Sequence, residues 1–254
     1  MELTLEILLL LFVIATLAGF IDAIAGGGGL ITIPALLAVG MPPTMALGTN
    51  KLQSCGGSFS ASWYFIRRKA VNLREIMELI LFTFVGAVLG TLLVQQMDTG
   101  FLKKILPFLI FAIGIYFLLT PKLGESDKKQ RVSYWRFALT AGLGIGFYDG
   151  FFGPGTGSFL SLAFVLLLGF NLAKATAHAK VLNFTSNIAS LIFFVIGGQV
   201  IWSVGFTMLV GQFLGARLGA RMVLTKGQKL IRPMVVVVAF IMATKLAFDY
   251  GWFG

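Results

Sequence analysis

Apolar stretches of about 18–20 residues recur along this chain, and a helix of that length crosses the ~30 Å of hydrocarbon in a bilayer. Helices and closed barrels are the two structures that satisfy their backbone polar groups there, and the alternating segments of a barrel strand are absent. Charged residues make up 12% of the sequence and hydrophobic ones 57%, with a mean hydropathy of +0.92. A soluble domain carries about 25% charged residues, so this chain has too few to cover a water-facing surface. It reads as an all-α membrane protein whose first partner is the lipid bilayer. The stretch at 3–18 resembles a signal peptide in length, but Glu2 and Glu6 are its only charges. It has no positive n-region and is expected to stay as the first membrane helix.

The formal net charge is +10, which raises nucleic acid as a partner. The distribution argues against it. Fourteen of the 20 Lys and Arg fall in three clusters, at 67–74, 122–136 and 217–232, each in or beside a gap between apolar runs. A positive bias in short loops marks them as cytoplasmic, whereas a nucleic-acid surface needs a continuous basic face. The single cysteine, Cys55, allows no internal disulfide and reads as a small packing residue.

The chain repeats itself. Gly19-Phe20-Ile21-Asp22 precedes the glycine run 26–29, and Gly146-Phe147-Tyr148-Asp149 precedes Gly153-Pro154-Gly155-Thr156-Gly157 at an offset of 127. Lys51 and Lys180 then match at an offset of 129, as do Gly86/Gly90 and Gly215/Gly219. The halves are expected at 1–121 and 137–254, joined by a polar cytoplasmic linker at 122–136. Positive charge alternates between them. Arg67-Arg68-Lys69 corresponds to the uncharged Gly197-Gly198-Gln199, and the stretch at 95–100 corresponds to one carrying Arg221, Lys226 and Lys229. Copies with alternating bias lie in opposite orientations. The expected fold is an inverted, duplicated helical bundle of 8–10 membrane segments. They fall at 3–21, 30–39, 46–66, 75–95 and 103–120, then at 137–152, 158–168, 176–196, 200–222 and 231–249, with both termini on the external face. The runs 30–39 and 158–168 cover only ~15 Å each and read as half-helices of broken segments.

Backbone freed from the helix ladder is tolerated at membrane depth only beside protein or a polar cavity. The start of a half-helix offers free N–H groups and a positive dipole end, which suits an anion. Gly28, Gly29, Gly155, Thr156 and Gly157 are therefore candidate solute contacts. Close helix packing is the structural alternative for such glycines. Lys51, Ser54, Ser58 and Ser62 form one polar stripe at helical spacing, and Lys180, Asn183 and Asn187 another. A buried lysine is costly and faces a cavity or partner unless it snorkels to the interface. Asn50 adjoins the first stripe. His178, the sole histidine, is a candidate for solute contact or proton handling. Three roles are open to Asp22 and Asp149: carrying protons, pairing with Lys51 and Lys180, or capping the N–H groups of the breaks. Gly86/Gly90 and Gly211/Gly215/Gly219 have the spacing of close helix contacts, within one protomer or between two as in a homodimer.

The segments Gly-Phe-Ile-Asp-Ala-Ile-Ala-Gly-Gly-Gly-Gly-Leu at 19–30, Thr-Asn-Lys at 49–51 and Gly-Phe-Tyr-Asp-Gly-Phe-Phe-Gly-Pro-Gly at 146–155 resemble the TauE/SafE family. That family comprises sulfite exporters and relatives, bacterial inner-membrane proteins of duplicated architecture. The resemblance spans essentially the whole chain. It implies a multi-pass inner-membrane location and transport of a small anionic solute, a sulfur oxyanion or organosulfonate. An enzyme would need a nucleophile–base pair or metal cluster, and neither is legible. No cofactor or metal is expected, and no nucleotide-binding domain is present to hydrolyse ATP. The reading is a secondary transporter, with a channel or a structural membrane protein as the alternative.

Overall fold

The computed structural model describes residues 4–119 and 126–225, and the described chain is helical with no strand. Helix α1 (Leu5–Ala25) is followed by the short α2 (Gly29–Ala38), then α3 (Pro43–Arg67), α4 (Met77–Gln95) and α5 (Thr99–Leu119). After the linker come α6 (Tyr134–Phe137) and α7 (Leu143–Phe151), joined by one π turn, Ala138–Gly142. The short α8 (Thr156–Leu167), α9 (Leu172–Ile196) and α10 (Trp202–Thr225) complete the described chain. The segment expected at 231–249 lies outside the described residues.

Local chemistry sets the boundaries. Thr4 caps α1 by accepting the Ile7 N–H, and Asn171 caps α9 by accepting the Lys174 N–H at 3.0 Å. Pro43 opens α3, where a missing N–H costs nothing. These starts lie three or four residues before those expected at 46 and 176, so Lys51 and Lys180 sit about two turns inside their helices. At its other end α1 runs one turn beyond the expected residue 21 and takes in Asp22. It stops at Gly26, whose left-handed φ of 73° favours glycine. The half-helices α2 and α8 have 10 and 12 residues, too short to span 30 Å.

The bundle exposes apolar side chains and buries polar ones within an otherwise apolar core. Leu9, Val13 and Leu17 of α1, Leu81, Val85 and Leu89 of α4, and Phe206, Val210 and Leu218 of α10 are exposed, while Lys51, Gln53, Asn183 and Gln212 are buried. An apolar exterior around buried polar groups suits hydrocarbon as the surrounding solvent. Helices Leu5–Ala25, Leu73–Gln95 (α4 with its leading 3-10 turn) and Leu172–Ile196 are long and apolar enough to cross a membrane. Trp63, Trp135 and Trp202 stand exposed near helix ends, as expected of interfacial anchors.

Packing is reciprocal between the two halves. Helices α3 and α9 pack on each other at the centre, α1 lies against α10, and α7 lies against α4. The paired glycines make these contacts. A Cβ at Gly86 would lie 2.2 Å from the Leu143 carbonyl oxygen, and one at Gly90 would lie 2.0 Å from that of Phe147. Their counterparts Gly215 and Gly219 would meet the Thr16 and Phe20 oxygens at 1.9 and 2.4 Å. Thr16 and Phe20 are the residues 127 positions before Leu143 and Phe147. The small-residue spacing thus serves contacts within the chain.

Candidate functional site

The two glycine breaks meet inside the bundle, backbone to backbone. A Cβ at Gly26 would lie 2.2 Å from the Ser158 nitrogen, and one at Gly157 would lie 2.7 Å from the Gly26 Cα. The Ser158 hydroxyl donates to the Ala25 carbonyl across this crossing. Gly153 and Gly155 hold φ of 103° and 85°, which lets the chain turn from α7 into α8 within four residues.

Two ion pairs tie the halves together on either side of the crossing. Lys51 Nζ of α3 is 2.9 Å from Asp149 Oδ1 of α7, and Lys180 Nζ of α9 is 2.7 Å from Asp22 Oδ2 of α1. Each lysine is 1% exposed, so neither reaches an interface. A buried ammonium held by a carboxylate and further hydrogen bonds escapes the penalty of an isolated charge. Lys51 also donates to the Asp149 carbonyl. Asp149 accepts from Thr156 Oγ1 at 2.9 Å and from the Ser186 hydroxyl. Asp22 accepts the Gly28 N–H at 3.1 Å. Of the roles open to the acids, the geometry shows pairing at both and capping of a break N–H at Asp22.

Between the pairs lies a polar cavity of ≈ 20 Å³, counted as the space open to the centre of a water molecule, which gives room for about one water. Among the candidate residues, Gly29, Asn50, Ser54, Gly155, Thr156, Gly157, Asn183 and Asn187 line it, together with Asp22 and Asp149. The two asparagine networks orient donors. Asn50 Oδ1 already accepts from Thr32 Oγ1 and Gln53 Nε2, both at 2.7 Å, which leaves its NH2 group as the free hydrogen-bonding capacity. Asn183 Oδ1 accepts from Asn187 Nδ2 at 3.0 Å, with the same consequence for the Asn183 NH2.

Four candidates stand apart from the lining. Lys51 and Lys180 lie behind the carboxylates they pair with. Gly28 turns its N–H to Asp22, and a Cβ there would lie 2.7 Å from the Asp22 Cβ, so a larger residue at 28 would strike α1 rather than fill the cavity. His178 is buried between Phe164 and Phe170, at ring-centroid distances of 5.5 and 4.9 Å, with Nδ1 2.8 Å from the Lys174 carbonyl oxygen. Sequence reasoning missed Gly26 and Gly153 in the lining, and Thr32 and Ser186 behind it. The signal for Ser186 was available, since it lies three residues beyond Asn183.

The family model described as sulfite exporter TauE/SafE matches residues 11–246, which include both breaks, both lysines and both aspartates. The chain belongs to the TauE/SafE family of membrane transporters. A Haemophilus influenzae protein named "Probable membrane transporter protein" is 62% identical over 253 residues, covering 100% of this chain and 99% of its own length. Escherichia coli K12 YfcA, named in the same way, is 64% identical over 239 residues, which cover 94% of this chain and 89% of YfcA. A Sinorhizobium relative with the same description is 51% identical over 248 residues, 98% of this chain and 95% of that protein. This TauE/SafE chain therefore shares nearly its full length with relatives described as transporters.

Proposed function

We propose that the chain is a secondary transporter of a small anion, a sulfur oxyanion such as sulfite or an organosulfonate, and that the solute binds in the cavity between the two breaks. The observation that carries this reading is a small polar cavity where the two breaks cross, lined by amide and hydroxyl groups together with Asp22 and Asp149, with a lysine paired to each carboxylate. An anion leaving water needs replacement donors. The Asn50 and Asn183 NH2 groups and the Ser54 hydroxyl supply them, and the starts of α2 and α8 add positive dipole ends. The lysines add charge once their carboxylates release them. The cavity holds about one water, so loading a larger anion requires the halves to part.

We further infer that residues 1–121 and 137–254 are inverted copies rocking against each other, in a bacterial inner membrane with periplasmic termini. Reciprocal packing and cross-paired lysines support this. Cysteine labelling at positions 68, 128, 198 and 226 tests the topology; labelling of 68 and 198 from the same side rules out inversion.

Thermal shift of the purified protein against sulfite, sulfate, thiosulfate and methanesulfonate tests solute class, because a ligand of the folded state raises apparent stability. Saturable flux of the stabilising anion in proteoliposomes is the expected sequel. Single-channel conductance instead would assign a channel.

A further inference from the structure

Asp22 and Asp149 stand at equivalent places in the sequence repeat, and each pairs with the lysine of the other half. Their surroundings differ. Asp149 receives Lys51 and Thr156 on one oxygen and Ser186 on the other. At the positions of Thr156 and Ser186 the first half has Gly29 and Gly57, at offsets of 127 and 129. Neither has a hydroxyl to donate. Gln212 of α10 occupies the space beside Gly57, where a Cβ would lie 2.3 Å from its Oε1, a buried oxygen with no hydrogen-bond partner among the described residues. Asp22 keeps Lys180 and one backbone N–H. Both carboxylates line the cavity, and the Asp22 side chain is 16% exposed against 3% for Asp149.

Hydrogen bonds donated to a carboxylate favour its ionised form. By that measure Asp149, with three side-chain donors, is better supplied than Asp22, with one side chain and one backbone N–H. The four charged groups of the site cancel: Lys51, Lys180, Asp22 and Asp149. An entering anion adds a negative charge beside two carboxylates, in surroundings that screen little. A proton taken by Asp22 from water restores the balance and removes the charge that holds Lys180, leaving its ammonium for the anion. Lys180 faces Asp22 from α9, and Lys51 and Asp149 lie across the cavity on α3 and α7; α2 and α8 carry no charged residue. Arg217 and Arg221 of α10 are exposed, and Arg217 lies over the Tyr64 ring at 4.9 Å.

We propose that Asp22 is the proton-binding group of this protein, that solute and proton occupy the site together, and that Asp149 remains ionised as the fixed partner of Lys51. The coupling rests on the anion-transport reading, whereas the protonation of Asp22 is measurable without any solute. An infrared pH titration of the protein in lipid nanodiscs, with no anion added, should show a buried carboxyl band in wild type and Asp149→Asn that is lost in Asp22→Asn. Gly29→Ser, which supplies the missing hydroxyl, should move that step to lower pH. A band lost in Asp149→Asn and kept in Asp22→Asn overturns the assignment. Should Asp22→Asn fail to fold, a step unmoved by Gly29→Ser overturns it as well.

The coupling is read with radiolabelled thiosulfate, which stays ionised across the working pH range. Wild-type proteoliposomes should take it up faster with acid outside, and Asp22→Asn should retain exchange while losing at least ten-fold of the gradient-driven uptake. Wild-type thiosulfate uptake indifferent to the gradient overturns the coupling. Wild type that moves no sulfur oxyanion overturns the anion reading, while the infrared titration still decides on Asp22.

Discussion

In the first break four consecutive glycines, 26–29, join α1 to α2, and the carboxylate beside them is met by a backbone N–H, that of Gly28. In the second, Thr156 reaches back to Asp149 and to the Gly153 carbonyl, and the Tyr148 hydroxyl holds the Pro154 carbonyl. The two breaks place the same charges at the same crossing but hold them differently. The Asp149 carboxylate is met by side chains that donate to it, whereas the first break is bare backbone that lets its neighbour approach. Removing side chains should therefore do more damage around Asp149, and adding them should do more around the first break.

The largest expected effect is that of Lys51→Ala. It leaves Asp149, 3% exposed, as a buried charge without its cation, a change that costs about 3–5 kcal/mol. Lys180→Ala should cost less, because the Asp22 side chain is 16% exposed and is more readily hydrated. Chemical denaturation of both variants in detergent measures the difference, and equal losses would break the comparison. Lys180→Ala is accordingly the cleaner test of transport, with flux expected to fall more than stability.

Next in size is Gly26→Ala. Its Cβ would press on the Ser158 nitrogen at 2.2 Å from a left-handed φ of 73°. Overpacking costs about 1–3 kcal/mol, and the strained backbone adds to it. At Gly153, whose φ of 103° also disfavours a side chain, the added atom would meet the ends of Asp149 and Lys51 at 3.0 Å, side-chain tips rather than backbone. Melting temperatures should fall further for Gly26→Ala than for Gly153→Ala; the reverse order would mean that the second break is the tighter one.

The smallest pair sharpens the contrast at one position. Thr156→Ala removes a hydrogen bond to an ionised group, worth about 1.5 kcal/mol at the lower end for such bonds, since Lys51 and Ser186 remain. Gly29→Ala adds a Cβ 3.1 Å from the Pro154 Cα and should cost under about 1 kcal/mol if that contact relaxes. Paired unfolding curves of the two proteins give the comparison directly.

Much of this was legible in the residues. The apolar runs found the helices because hydrocarbon demands a fixed length of backbone-satisfied chain. The short runs at 30–39 and 158–168 became α2 and α8 within two residues at either end. The polar stripes found most of the cavity lining, since helical spacing brings Ser54, Asn183 and Asn187 to inward faces. Boundaries were harder. The apolar pattern ends at Asp22, but a helix ends where its backbone turns, at Gly26. His178 shows the opposite limit: its sequence neighbourhood resembles that of Lys180, yet its ring packs between two phenylalanines.

The sequence by itself determined that the chain lives in a membrane and which polar residues lie at depth, because length, periodicity and the cost of burying charge are local properties. The tertiary structure alone decided the partners. Lys51 meets Asp149 across 98 residues and Lys180 meets Asp22 across 158. Spacing cannot reveal such contacts, because they arise from the packing of one half against the other. That packing also made the equivalent aspartates unequal, since the donors each receives come from helices distant in the chain.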